Sequence, residues 1–402
     1  MSEEVGIVRL GDLIIDFINK KIVYRGKELL AGGGATRLSE LIIDTDKDWR
    51  GYKIKNLGAP VDLNDAARLA ELPVLRRVGL LWLSGETSSA GDHSRNIYCK
   101  GDYLYWCLRG TQKLYVIDVS KRATPRPLSS VSLGYKPLGI DGKDNYLFVG
   151  GDDGLHIYDI SDPKSPSEVG SLTGIDQIHG FYFDKDGDII YACQHTTDTF
   201  RIIDVSDPTS PSTLGSITDS TNLDGAHDAY VDTANKIAFV TNYRPDSSGP
   251  ALAVIDVSDP ASPSILYTYY SGRNRSYITK YKDYLLLGAH GPDTGLIIAD
   301  ASDISSITTV MEVLGGFNSV GYWIAIYKNY AFMTLFTTSG AVQHAIAVMD
   351  LDALTLEQIL LRPFVEDPGR HLFIHDQYLY ASARLYDGTN YTPLLDVYKI
   401  MR

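Results

Sequence analysis

The sequence predicts an all-β protein: a seven-bladed β-propeller with an N-terminal strand closing the last blade, preceded by a small attachment module of a β-hairpin and a short helix. Two observations carry this prediction. A run of apolar residues ending in Asp recurs along the chain, and a second apolar run precedes each copy. The recurring aspartates are Asp118, Asp159, Asp204, Asp256, Asp300, Asp350 and Asp396. Their spacing of 41 to 52 residues is typical of propeller blades.

Each repeat is interpreted as four strands, with an inner strand first and the aspartate run third. The second strands begin at Tyr103, Tyr146, Ile189, Lys236, Tyr284, Tyr330 and Tyr378. The second and third runs are almost continuously apolar, as expected for strands buried on both faces between neighbouring blades. A turn of the type Ser-Asp-Pro follows the third strand in several copies, and the fourth strand begins after it.

The recurring aspartate is predicted to hold this turn rather than to catalyse a reaction. Asp side chains accept hydrogen bonds from nearby backbone N–H groups, and Pro163, Pro208 and Pro260 fix the backbone of the turn. A residue repeated once per blade is placed by the fold, because one active site does not need seven copies.

The last blade is expected to take its fourth strand from the N-terminal side of the ring. The chain ends at Arg402, soon after the last aspartate run, and the segment from Pro73 to Trp82 is similar to the other fourth strands. Residues 73–84 would therefore complete the blade and remove free strand edges. This predicts two domains, an attachment module of residues 1–72 and a propeller of residues 73–402.

The composition argues against several classes of function. A formal net charge of −13 disfavours a nucleic-acid partner, since phosphates are bound by clustered Lys and Arg. No run of about 18 apolar residues is present, so no membrane insertion is expected. The acidic start of the chain lacks the pattern of a secretory signal. The three cysteines are expected to be buried and without a disulfide.

The N-terminal residues are too poor in apolar side chains to build a strong core alone. Residues 11–24 are expected to form two strands about a turn, and Gly32-Gly33-Gly34 a flexible joint. Asp62 is placed to cap a helix over residues 63–72. Such pieces gain stability by packing against copies of themselves, which favours a homo-oligomer. The alternative is a plain extension that lies along the propeller.

The repeats resemble those of the LVIVD-repeat family of β-propellers. Leu252-Ala-Val-Ile-Asp256 echoes the Leu-Val-Ile-Val-Asp string for which that family is named, and the Asp-Val-Ser-Asp-Pro turn recurs with it. The resemblance covers residues 73–402. It implies the propeller fold but no particular activity, because such propellers occur in varied surface proteins.

A second resemblance lies in the N-terminal module. Residues 46–67 are similar to a segment of phage tail-fibre proteins that reads Asn-Gly-x-x-Ile-x-Asn-Leu-x-x-Pro and then Asp-Ala, although Arg50 replaces the usual Asn and the usual Tyr late in the helix is absent. The resemblance implies an elongated, usually trimeric fibre in which this segment joins an attachment region to a distal domain. The residues that it assigns to assembly are Trp49, Gly51, Tyr52, Ile54, Asn56, Leu57 and Pro60.

Polar side chains at matching positions of the inner strands predict a site at one mouth of the central channel. They are His93, Lys136, His179, His227 and Arg275, with Arg370 and His371 near the seventh equivalent. Such groups could bind an anion, a glycan acid or a metal. The alternative is a solvated channel lined by polar side chains. The histidines match no compact metal-ligand spacing, so neither a metal nor another cofactor is expected.

The sequence therefore predicts a binding protein rather than an enzyme. It carries no Ser–His–Asp, P-loop, HExxH or GxSxG pattern. Tyrosines are abundant in loops as well as strands, where they suit sugar stacking or a protein interface as well as blade packing. The resulting hypothesis is a tail-fibre-like structural protein at the virion surface, assembled in the host cytoplasm. Residues 1–72 would bind other virion proteins as a homotrimer, and the propeller would bind a host surface protein or glycan. The alternatives are a cell-surface LVIVD-repeat adhesion protein and a propeller hydrolase with a channel-bound metal.

Overall fold

The computed structural model of the protein describes residues 7–10, 13–16, 21–24, 27–30, 74–83, 94–243, 249–271, 277–288, 296–313, 323–336, 344–362, 371–386 and 391–401. The chain divides into two compact units. One is Met1–Leu72 together with Arg402, and the other is Pro73–Met401. None of the described residues lies in a helix that is long and apolar enough to cross a membrane.

The second unit is a seven-bladed β-propeller, as predicted, and each blade is a four-stranded antiparallel sheet. Blades 1 and 2 consist of β6 (Ser94–Lys100), β7 (Tyr103–Leu108), β8 (Lys113–Asp118), β9 (Arg126–Ser132), β10 (Pro137–Lys143), β11 (Tyr146–Gly151), β12 (Gly154–Asp159) and β13 (Ser167–Thr173). Blades 3 and 4 consist of β14 (Gly180–Asp184), β15 (Ile189–Gln194), β16 (Thr199–Asp204), β17 (Ser212–Thr218), β18 (Ala226–Asp232), β19 (Ile237–Asn242), β20 (Leu252–Asp256) and β21 (Ser264–Tyr269).

The remaining blades follow the same order from inner to outer strand. Blades 5 and 6 consist of β22 (Tyr277–Tyr281), β23 (Tyr284–Gly288), β24 (Leu296–Asp300), β25 (Thr308–Val313), β26 (Ile324–Tyr327), β27 (Tyr330–Phe336), β28 (His344–Asp350) and β29 (Thr355–Arg362). Blade 7 consists of β30 (Leu372–His375), β31 (Tyr378–Tyr386), β32 (Tyr391–Met401) and β5 (Val74–Trp82).

Blade 7 confirms the predicted closure of the ring. Strand β5 pairs antiparallel with β32, in a register that runs from Trp82 opposite Leu394 to Val74 opposite Met401. The outermost strand of the last blade thus comes from the N-terminal side of the propeller. Without this pairing, β32 would be the unpaired edge of a three-stranded sheet. The pairing of β5 with β32 therefore closes the ring.

The second and third strands form the core because both of their faces are covered. In β8 and β16 four of the six residues are buried, whereas no residue of the outer strands β9 and β17 is. The apolar clusters lie between neighbouring blades, so that Trp106 of blade 1 packs with Tyr380 and Leu395 of blade 7. The three cysteines are buried and free, as expected.

The recurring aspartate holds the turn between the third and fourth strands, as predicted. In six blades its Oδ1 accepts a hydrogen bond from the N–H two residues later, at 2.7 to 2.9 Å. A second Asp in the turn repeats this contact, as where the Lys164 N–H donates to Asp162 at 3.0 Å. The side chains therefore replace backbone partners that the turn leaves unpaired.

The prediction that Asp396 is the seventh copy was wrong. In a regular blade the aspartate lies opposite the first residue of the second strand, as Asp118 does opposite Tyr103 and Asp159 opposite Tyr146. In blade 7 the residue at that position, opposite Tyr378, is Lys399. Blade 7 has no turn from its third to its fourth strand, because the fourth strand is β5, so no aspartate is needed there. Asp396 is instead buried within β32 and paired with Arg77 of β5 at 2.9 Å.

The described part of the first unit is a four-stranded antiparallel sheet. Its strands are β1 (Ile7–Leu10), β2 (Leu13–Asp16), β3 (Lys21–Tyr24) and β4 (Lys27–Leu30), paired in that order. Strands β2 and β3 are the two that the sequence predicts, and β1 and β4 flank them. The predicted helix over 63–72, the glycine joint and all of the assembly residues from Trp49 to Pro60 lie outside the described residues.

Candidate functional site

The central channel contains a cavity of about 360 Å³ that residues of all seven inner strands or their starts line. Because every blade repeats the same strand order, the inner strands all begin at one end of the channel. We call this end the channel mouth and define it by His179, His227, Tyr277, Trp323 and His371, which lie at or just before the starts of five inner strands.

Three of the seven residues predicted for this site line the cavity, namely His179, His227 and His371. Lys136 does not line it. Its side chain is half-exposed and its Nζ lies 4.0 Å from a carboxylate oxygen of Asp152. The other three predicted residues, His93, Arg275 and Arg370, lie outside the described residues.

A cluster of three imidazoles joins blades 3 and 4 at the channel mouth. The ring centroids of His179 and His227 are 3.9 Å apart, and His195 lies 5.6 Å from His179 and 6.0 Å from His227. His195 follows β15, whose end lies opposite the start of β14 through the pairing of Gly180 with Cys193. His195 is not among the residues that the sequence predicts for this site, because its approach to the other two rings depends on this register.

Aromatic side chains continue the wall around the mouth. The Tyr277 ring meets His227 edge to face at 5.3 Å and Trp323 at 5.0 Å, and Trp323 in turn meets His371 at 4.2 Å. Edge-to-face contacts of this kind fix ring orientations. Neither Trp323 nor Tyr277 is among the residues that the sequence predicts for this site.

His371 fastens blade 7 to blade 1. Its Nδ1 accepts a hydrogen bond from the Ile97 N–H of the neighbouring inner strand at 2.8 Å. Burial lowers the pKa of His371 to about 3, so the ring is neutral at physiological pH and Nδ1 is available as an acceptor. His371, which the sequence predicts as a ligand-binding residue, therefore also has a structural role.

Asp228 is a buried carboxyl group that the sequence interpretation missed. It is 7% exposed and lines the cavity next to His227. Burial raises the pKa of Asp228 to about 8, although backbone N–H groups of Ile278 and Ala229 donate to the carboxyl and oppose this shift. Its Oδ1 lies against Gly180 of blade 3, where a Cβ would approach to 2.7 Å.

Charged pairs lie deeper in and beside the channel. Lys185 pairs with Asp141 at 2.8 Å, and both line the cavity. Burial raises the pKa of Asp141, and the Lys185 ammonium opposes that shift. Lys280 of blade 5 pairs with Asp232 of blade 4 at 2.8 Å. These cations are therefore already neutralised by carboxylates of the propeller.

The arrangement can bind polar and aromatic groups. Among the residues that the structure describes, no group of three or more His, Cys, Asp or Glu side chains is placed to hold a metal ion. The three imidazoles and Asp228 offer hydrogen-bond donors and acceptors, and Tyr277 and Trp323 offer ring surfaces.

Sequence comparison identifies LVIVD repeats in this chain. The LVIVD repeat matches residues 91–132, 140–173, 195–219 and 248–270. These segments fall in blades 1 to 4, and the first two span most or all of the strands of blades 1 and 2. No curated protein matches the chain.

Solved structures of other β-propellers match the fold at low sequence identity. The WD40 β-propeller domain of Doa1 aligns with 82% of this chain and 97% of its own length, at 8% identity and a TM-score of 0.56. The β-propeller domain of Cps50 (Swd1) from Myceliophteria thermophila aligns with 80% of this chain and all of its own, at 12% identity and a TM-score of 0.55. Hydrazine synthase from Kuenenia stuttgartiensis aligns with 78% of this chain and 98% of its own, at 13% identity and a TM-score of 0.53.

The comparisons show LVIVD repeats in blades 1 to 4 and a β-propeller fold. The similar structures include a WD40 domain and an enzyme, so the shared fold does not by itself decide between binding and catalysis. Function has to be argued from the channel mouth.

Proposed function

We propose that this chain is a non-enzymatic binding protein whose propeller is a receptor-binding head, with the channel mouth as a glycan subsite. The observation that carries the proposal is the recessed cavity walled by Tyr277, Trp323 and three imidazoles. Aromatic rings stack on the apolar faces of sugars, while imidazole and carboxyl groups exchange hydrogen bonds with hydroxyls.

The size of the cavity restricts what enters it. A volume of about 360 Å³ is near the lower limit for small-molecule sites, which range over roughly 300 to 1,000 Å³. It holds one or two sugar rings rather than a long stretch of chain. We therefore expect the mouth to take the end of a glycan, with any remainder lying outside the channel.

We further propose that residues 1–72 attach this head to a larger particle as a homotrimer at the virion surface, assembled in the host cytoplasm. The tail-fibre-like segment at residues 46–67 supports this part. Light scattering of the full chain is expected to give three times the mass of one chain, and Leu57→Asn is expected to lower it. A monomeric wild type would refute the trimer.

A cell-surface adhesion protein is the second candidate, since LVIVD repeats also suit that role. The head would bind in the same way, and only the attachment would differ. Localisation of the full chain to purified particles, rather than to cell envelopes, separates the two.

A matched pair of tryptophan variants tests the binding site. Trp323 stands in the channel mouth, whereas Trp82 is 44% exposed on the outer strand of blade 7. On a glycan array, Trp323→Ala of the full chain is expected to lose at least tenfold in affinity for the glycans that the wild type binds, because stacking surface is removed. Trp82→Ala is expected to bind like wild type. Equal binding by both variants, or loss only with Trp82→Ala, would overturn the proposed site.

A further inference from the structure

Asp228 is an acidic group with no Lys or Arg partner among the residues that the structure describes. We infer that the channel mouth recognises an ammonium group and that Asp228 is the residue that pairs with it. The inference rests on the proposed function in one respect: if the ligand is a glycan, the ammonium group belongs to an amino sugar.

The surroundings of Asp228 are prepared for a carboxylate. The Ile278 N–H of blade 5 donates to its Oδ2 at 3.3 Å, and the Ala229 N–H donates as well. Such bonds favour the ionised form of a carboxyl group. What the ionised form still needs is a nearby positive charge, since a buried carboxylate without one is unstable.

Two lysines that the structure describes in and beside the channel do not supply that charge. Lys185, which lines the same cavity, is paired with Asp141, and Lys280 is paired with Asp232. His371 is neutral because burial lowers its pKa to about 3. His179, His227 and Tyr277 line the same cavity as Asp228. Cys193 lies near Asp228 as well, and burial raises the pKa of its thiol, to which the Asp228 carboxylate adds.

The same walls suit an organic cation better than a metal ion or an anion. The described residues offer no metal centre, and a buried acidic group disfavours an anion. Tyr277 and Trp323 line the same cavity as Asp228, and an ammonium group is attracted to aromatic faces, by up to about 2 kcal/mol when desolvated. A sugar ring carrying an amine fits both features, with the ring on the aromatic side chains and the amine on Asp228.

Binding of an ammonium group should displace a proton. The carboxylic acid of Asp228 gives up its proton to solvent, and the carboxylate that remains pairs with the cation, so charge balances within the site. Affinity should therefore rise with pH through the range in which Asp228 titrates. A neutral sugar would show neither the proton release nor this pH dependence.

The test uses the full chain and two oligosaccharides that differ only in the amine: the tetramer of glucosamine and the tetramer of N-acetylglucosamine. Titration calorimetry at pH 6 in two buffers of different ionisation enthalpy gives affinity and proton release together. We expect the free-amine tetramer to bind at least tenfold more tightly, with release of close to one proton. Asp228→Asn is expected to abolish both the preference and the release. Asp152→Asn, an exposed change in blade 2, is expected to preserve them.

The outcomes separate this inference from the function on which it rests. Equal binding of the two tetramers, or a preference that persists in Asp228→Asn, would overturn the ammonium site and leave glycan binding intact. Binding of Nα-acetyl-lysine methylamide with proton release, but of neither tetramer, would support the ammonium site and refute the glycan. A thermal unfolding scan of Asp228→Asn is the folding control. We expect a cooperative transition, in which case a loss of binding is assigned to the carboxyl and not to unfolding.

Discussion

At the residue scale, the recurring aspartate acts on its own backbone. Asp118 accepts from both the N–H and the hydroxyl of Ser120, and these bonds lower its pKa to about 2. This role could be predicted from sequence because the contact spans two residues. The role of Asp396 could not, since it depends on the register of β32 and on a partner from β5.

Asp228 lay beyond sequence reasoning for a similar reason. In the sequence it is one polar residue beside His227 at the start of an inner strand. Its burial comes from neighbouring blades, through Gly180 on one side and Ile278 on the other. The features that make it a candidate binding residue exist only once blades 3, 4 and 5 are packed.

The raised pKa of Asp228 predicts a pH dependence of stability. The ordinary pKa is 3.8 and the folded value is about 8, so between these values the folded chain holds a proton that the unfolded chain has released. Unfolding is then favoured as pH rises, and stability falls between about pH 4 and pH 8. Asp228→Asn removes this contribution, which is on the order of a few kcal/mol at pH 8.

Differential scanning calorimetry at pH 5 and pH 8 checks this prediction. The melting temperature of the wild type is expected to fall between pH 5 and pH 8 by several degrees more than that of Asp228→Asn. An identical change in melting temperature in both proteins would contradict the prediction. It would show that ionisation of Asp228 does not destabilise the folded chain.

At the element scale, glycines in the outer strands determine how closely blades approach. A Cβ on Gly215 would lie 2.3 Å from the Pro260 carbonyl oxygen of blade 4, and one on Gly170 would lie 2.1 Å from that of Pro208 in blade 3. Gly79 of β5 meets the Arg122 carbonyl oxygen of blade 1 in the same way. The strands themselves could be predicted from apolar runs and turns. The glycine contacts could not, because each one joins an outer strand to a turn of the next blade.

Gly215→Ala is therefore expected to destabilise the propeller. The new methyl group meets backbone rather than a movable side chain, so blades 3 and 4 must shift apart, at a cost of about 1–3 kcal/mol. Urea unfolding followed by fluorescence measures the change. Ser216→Ala, at the exposed neighbouring position of the same strand, is the control and is expected to change stability little. Equal effects of the two variants would contradict close packing at Gly215.

At the scale of the whole molecule, closure of the ring creates the channel mouth. Pairing of β5 with β32 completes blade 7 and allows His371 to bond Ile97 of blade 1, while blades 3 to 6 contribute the imidazoles, Tyr277 and Trp323. The seven-blade ring and its closing strand could be predicted from the repeat spacing. The composition of the mouth could be predicted only in part. His179, His227 and His371 were found by aligning the repeats, whereas Trp323, which takes the same register position in blade 6 as His371 in blade 7, was not. His195 is brought in by the segment that follows β15.

The central claim is that the propeller binds its ligand in this mouth, and hydroxyl-radical footprinting of the full chain tests it most directly. Side-chain oxidation is measured by mass spectrometry with and without the glycan that binds most tightly on the array. The account predicts that oxidation of Trp323 falls on binding, while oxidation of the exposed Trp82 and Tyr270 does not change. Protection of Trp82 or Tyr270, with Trp323 oxidised as before, would contradict it.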